Sequence, residues 1–169
     1  MTHRALIDIP TLKAVMVTCI GIWALLVGLD NLLDYAGNWQ FVQHVLAMDT
    51  VFPDNQTRWR AITDPLAQRL AYGVIIAWEW LIAVCCLFGA WRLLRSRKDR
   101  AAFMAAKPLA AAGLVGVFIL YFFGFVTIGG EWFSMWQSST WNGQQKAAMF
   151  CGIAMAVLIV LLMPEEAAL

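Results

Sequence analysis

DPLAQRLAYGVIIAWEWLIAVCCLFGAWRLL, residues 64–94, runs almost unbroken in apolar side chains from Leu66 to Leu94. A helix that crosses a bilayer needs ~20 mostly apolar residues to cover a hydrocarbon core of ~30 Å. Asp64 suits the N-cap and Pro65 the first helical position, so the helix opens sharply there. Continued to Arg95 it would be ~46 Å long at 1.5 Å per residue. That exceeds the core, so tilt or protrusion is expected. The one acid inside the run, Glu79, stands between Trp78 and Trp80.

Three further runs have the same character: residues 12–33, 108–128 and 143–163. The first follows Arg4 and Lys13, as a signal peptide would. Its apolar length exceeds a typical h-region and no small-x-small cleavage site follows, so it reads as an uncleaved anchor. Pro108 suits a helix start, and Gly129-Gly130 suits its end. Asn142 with Gln145 resembles a capping box, and Pro164 stops the last helix. Composition agrees: the 169 residues are 62% hydrophobic and 14% charged, against ~45–50% and ~25% in soluble domains. The predicted fold is all-α. It has four transmembrane helices in an up-down-up-down bundle, with an amphipathic helical outer loop between the first two.

A net charge of +1 gives no reason to expect a nucleic-acid partner. Arg4, Lys13, Arg92, Arg95, Arg97, Lys98, Arg100 and Lys107 fall on one side of the four spans, and only Arg58, Arg60, Arg69 and Lys146 on the other. The positive-inside rule then puts both termini and the basic loop in the cytoplasm. Trp39, Trp59, Trp132, Trp136 and Trp141 lie on the opposite side and read as an interfacial belt. Cys19, Cys85, Cys86 and Cys151 lie in apolar runs without CxxC or CxxCH spacing, so they read as small buried hydrophobes.

The outer segments, residues 34–64 and 129–142, are unusual. In 38–52 the apolar residues Phe41, Val42, Val45, Met48 and Phe52 recur near helical spacing. They predict an amphipathic helix, lying on the membrane surface or folded over the bundle as a lid. Residues 129–142 read GGEWFSMWQSSTWN, rich in aromatics with a single acid, Glu131. Gly37-Asn38-Trp39 echoes Gly130-Glu131-Trp132, which would fit a two-plus-two duplication.

Ionisable groups inside spans are costly, ~2.5–3.5 kcal/mol at the centre, so function is sought there first. Glu79 has no basic neighbour one helical turn away. It is either neutral and hydrogen-bonded to another helix, or paired across helices. Asp30 and Asp34 share a helix face beside Asn31. With Arg58, Arg60 and Arg69 they would form an ion-pair network tying the outer loop to the bundle, or a vestibule leading toward Glu79. His44 with Met48 has i, i+4 spacing that one metal or haem could touch. His44 with Asp49 and Glu131 would make a metal site only if the loops converged. One face of an amphipathic helix accounts for His44 more simply, and no cofactor is expected. No nucleotide, hydrolase or EF-hand motif is present.

The chain resembles a bacterial family of predicted small integral membrane proteins, domain-of-unknown-function family 2165. The resemblance rests on Asp30-Asn31, on residues 38–49 (NWQFVQHVLAMD), on Trp59-Arg60-Ala61-Ile62 and on residues 129–144. It implies a multi-pass protein of the bacterial inner membrane and brings no activity or cofactor with it.

Two classes of function follow. One is a non-enzymatic accessory subunit of a larger membrane complex, using Trp39, Trp132, Trp136 and Trp141 as its contact surface. The other is a small transporter or a proton- or ligand-handling protein, with Glu79 buried and Asp30 and Asp34 at its entrance. A third reading is a quinone- or haem-linked redox subunit with His44 as the candidate ligand. Lipid is the expected surrounding, and other membrane subunits are possible partners.

Overall fold

The computed structural model describes residues 8–165. His3 and Arg4 lie outside them. Five long helices form the fold: α1 Ile9–Leu33, α2 Tyr35–Ala47, α3 Pro65–Ser96, α4 Arg100–Trp132 and α5 Gln144–Leu162. Four of them, α1, α3, α4 and α5, are long and apolar enough to cross a membrane. The four-span, all-helical reading is borne out, and no strand occurs among the described residues.

Three of the helices start where an aspartate side chain satisfies a free N–H group. Asp8, Asp64 and Asp99 cap α1, α3 and α4, accepting from the backbone N of Thr11, Ala67 and Ala102. The Asp99 cap places the start of α4 well before Pro108, which sits inside the helix instead of opening it. Pro108 deprives one carbonyl of its partner, a loss membrane helices tolerate when neighbours compensate. Nor does Gly129-Gly130 end α4. From Phe118 the helix widens to the i→i+5 pattern and runs to Trp132, and Ser134, at φ 54°, then turns the chain. Asn142 makes no capping box. Gly143 holds the N-cap of α5, and Asn142 Oδ1 accepts from the backbone N of Gln144 at 3.1 Å.

α3 is the central element, packed along both α1 and α4. Close approach depends on glycine at two points. A Cβ on Gly89 would stand 2.7 Å from the backbone N of Ala110, and one on Gly113 would stand 2.5 Å from Sγ of Cys86. Ala14, Val17, Ile82, Leu93, Phe103, Leu114 and Leu161 fill the core between them.

The basic end of the bundle is closed by an ionic clamp. Lys13 and Lys107 are buried, and both Nζ atoms lie 2.7 Å from Oε1 of Glu165. Both also donate to the Met163 carbonyl, at 2.8 and 3.0 Å. Burial pushes the Glu165 carboxyl up, but the hydrogen bonds and charges of the two lysines outweigh it and hold the group below its ordinary value.

The chain between α1 and α3 folds back onto the bundle. After Asp34 breaks the helix (φ −108°, ψ 51°), α2 lays Val42 against Tyr72 and Ile76 of α3. Its C-terminus, Met48 at φ 50°, is buried with Val51 and Phe133. The Gly-x-Trp echo has no structural counterpart. Trp39 lies inside α2, whereas Trp132 ends α4.

Candidate functional site

Glu79 is 3% exposed and held by groups from two other helices, α1 and α4. Nδ2 of Asn31, near the end of α1, donates to Glu79 Oε2 at 2.6 Å. The Tyr121 hydroxyl, from the wide part of α4, donates to Oε1 at 3.4 Å. The Tyr72 hydroxyl faces the other side of Asn31, 3.1 Å from its backbone O and 3.0 Å from Oδ1. Tyr72 and Glu79 are seven residues apart and so share a face of α3. Asn31 satisfies both neighbours at once, its N–H toward the carboxylate and its oxygen toward the phenol. Among the described residues no cation lies within salt-bridge distance of Glu79. Its partners are neutral donors.

Depth follows from counting along the helices. Lys13 to Asn31 is ~27 Å and Lys107 to Tyr121 ~21 Å at 1.5 Å per residue. Glu79 therefore sits toward the cap side of a ~30 Å core, although it lies near the middle of α3. The reason is that α3 extends well past the end of α1, to pack against α2.

Glu79 lines a cavity of about 280 Å³, together with Asn31, Asn38, Tyr72, Tyr121 and Lys146. Phe41, Phe125 and Phe150 supply aromatic walls. A second cavity of about 330 Å³ lies between α2, α3 and α4 and is apolar, lined by Val45, Leu46, Ala71, Val74, Phe123 and Ile128 among others. Phe41, Val42, Ile75 and Phe125 line both. Lys146 was not among the residues singled out in the sequence. No local signal marks it, because its relation to Glu79 exists only once α5 stands beside α4.

The family of predicted small integral membrane proteins, DUF2165, matches this chain over residues 9–164. The chain belongs to that family. No curated protein and no solved structure is detectably similar to it.

In this DUF2165 member the remaining candidates lie apart from Glu79. Asp30 and Asp34 are exposed, and neither forms an ion pair among the described residues. The expected arginine network does not form, because carbonyls and aromatic faces take the guanidinium groups. Arg58 donates to the Val51 carbonyl at 3.1 Å. Arg60 lies 4.4 Å from the Trp132 ring and 5.4 Å from that of Trp59, and donates to the Trp132 carbonyl at 3.3 Å. Arg69 stands 6.0 Å from the Trp39 ring.

His44 pairs with Asp49, Nδ1 to Oδ2 at 2.7 Å, and stacks on Trp141 at 4.7 Å. Met48 is buried elsewhere, with Val51 and Phe133, so His44 and Met48 do not converge on one ligand. No three His, Cys, Asp or Glu side chains come together as a metal site among the described residues. Glu131 is exposed and lines a polar cleft of about 430 Å³ with Arg60, Trp136 and Gln137. Trp39 packs on Tyr72, whereas Trp132 and Trp136 are exposed.

Proposed function

We propose that this chain is a ligand-handling membrane protein and that the Glu79 cavity is its binding site. The observation that carries the reading is a buried carboxylate, lining a cavity, whose hydrogen-bond partners are neutral donors from Asn31 and Tyr121. Burial of an acid without a cation is costly. Here the cost goes with open space beside it, which suits a donor or a positive group arriving from outside. The basic excess at the Lys13–Lys107 end supports a cytoplasmic position for that end in a bacterial inner membrane. The cavity then opens toward the outer side.

The test is thermal unfolding of the detergent-solubilised protein with a panel of primary amines, carboxylates and neutral alcohols. Amines should raise the melting temperature of the wild type and leave Glu79→Gln unmoved. Equal responses from both proteins across the panel would sink the reading.

A second reading, an accessory subunit docking through the cap, is supported by Trp59, 75% exposed and packed edge-on to Trp132, and by the exposed Trp136. Trp136→Ala with Trp132→Ala should then lose copurifying subunits from native membrane. Full retention of every subunit would argue against it.

A further inference from the structure

We infer that the ligand is a zwitterionic amphiphile with one apolar chain, lying beneath α2. Its ammonium sits on Glu79, its anionic group on Lys146 and its chain in the neighbouring apolar groove. The inference rests on the reading of the Glu79 cavity as a binding site and adds the class of ligand.

Charge comes first. Among the described residues, Glu79 and Lys146 are the only charged side chains lining the polar cavity, one of each sign. A purely cationic ligand would meet Lys146, and a purely anionic one would meet Glu79. A head bearing both charges satisfies both. Their depths differ in the order such a head needs. Phe150 packs on Tyr121 with ring centroids 5.8 Å apart, and Tyr121 bonds Glu79. Lys146 precedes Phe150 by one helical turn, so it lies ~6 Å nearer the cap. It is exposed, while Glu79 is not. The acid therefore stands at the floor and the base at the rim. Tyr121, Phe125 and Phe150 around the floor add the aromatic faces that favour an ammonium.

The chain follows from the second cavity. The groove shares Phe41, Val42, Ile75 and Phe125 with the polar cavity, and among the described residues no charged side chain lines it. At its far side Val74 is 65% and Phe123 56% exposed on the apolar outside of the bundle, where acyl chains lie. A water-soluble zwitterion would leave this groove unused. A single alkyl chain fills it without burying any polar group. The roof over both cavities is α2, through Phe41 and Val42, which gives a purpose to a helix that the four spans do not require.

The experiment is native mass spectrometry of the full chain released from detergent, using four probes. They are lysophosphatidylethanolamine, lysophosphatidylglycerol, dodecylamine and water-soluble phosphoethanolamine. Lysophosphatidylethanolamine should be retained about tenfold better than the other three, the order that one charge-assisted hydrogen bond carries. Glu79→Gln and Lys146→Gln should each remove that preference. Lys146 is exposed, so its variant keeps the test valid if Glu79→Gln fails to fold. Val74→Trp, which fills the groove, should weaken lysophosphatidylethanolamine and leave phosphoethanolamine unchanged. If phosphoethanolamine binds as tightly as the lysolipid, through Glu79 and regardless of Val74→Trp, the amphiphile is wrong and the cavity reading stands. If no probe binds in a Glu79-dependent way, both are wrong.

Discussion

Nδ2 of Asn31 stands 2.6 Å from Oε2 of Glu79, joining the end of α1 to the middle of α3. One amide thus serves the buried acid on one side and the Tyr72 hydroxyl, 3.0 Å from its Oδ1, on the other.

Asn31→Leu should take from Glu79 its shorter hydrogen bond, whereas Tyr72 keeps the backbone carbonyl at position 31 as an acceptor. A buried group left unsatisfied costs about 1–3 kcal/mol, so the loss in unfolding free energy should fall in that range. Chemical unfolding in detergent would measure it. The double variant with Glu79→Gln should cost less than the sum of the two single changes, because the two side chains share one bond.

The clamp at the basic end predicts a pH dependence. Folding holds the Glu165 carboxyl below its ordinary value of 4.5. Its contribution is therefore complete above that pH and is lost as pH falls through the folded value. Wild-type stability should decline in acid below pH 4.5 more steeply than that of Glu165→Gln. At neutral pH the variant leaves Lys13 and Lys107 buried without their counter-charge. Removing one partner of a buried pair costs roughly 3 kcal/mol. Melting curves from neutral to acid pH would test both statements.

Gly89→Ala should destabilise the contact between α3 and α4. The new Cβ meets backbone atoms of Ala110 at 2.7 and 2.8 Å, and backbone cannot swing aside. Overpacking of this kind costs about 1–3 kcal/mol. Gly152→Ala is the control, since nothing lies within 4 Å of the added methyl group. It should be neutral or slightly stabilising, because alanine loses less backbone freedom on folding. Parallel thermal scans of the two variants would separate them.

Trp132→Ala should loosen the cap while leaving the spans intact. The Arg60 guanidinium lies 4.4 Å from that ring, an arrangement worth about 0.5–1 kcal/mol at an exposed site. Faster hydrogen exchange in residues 58–62, with exchange in α3 below Glu79 unchanged, is the expected pattern.

Much of the fold was legible because the bilayer imposes length and polarity on each span separately. The runs ending at Leu33 and Leu94 needed no partner to be recognised, and Asp64-Pro65 marked a boundary with local chemistry alone. Pro108 misled for the same reason. Its preference for a first turn is real, but Asp99 offered a cap earlier. The arginines misled differently. Arg58, Arg60 and Arg69 have the right sign to meet Asp30 and Asp34, yet flat aromatic faces and free carbonyls lay nearer in space.

By itself the sequence determined that this protein is a four-span, all-helical membrane protein. It also marked Glu79 and Asn31 as polar groups needing an explanation. Both follow from apolar length and from the cost of a polar group in hydrocarbon, which each segment carries on its own. Only the tertiary structure decided that Asn31 and Tyr121 bond Glu79, that Lys146 lines the same cavity, and that Glu165 closes Lys13 against Lys107. Those groups lie 42 to 152 positions apart along the chain. Spacing within one helix carries no information about which residue of another helix stands at the same depth.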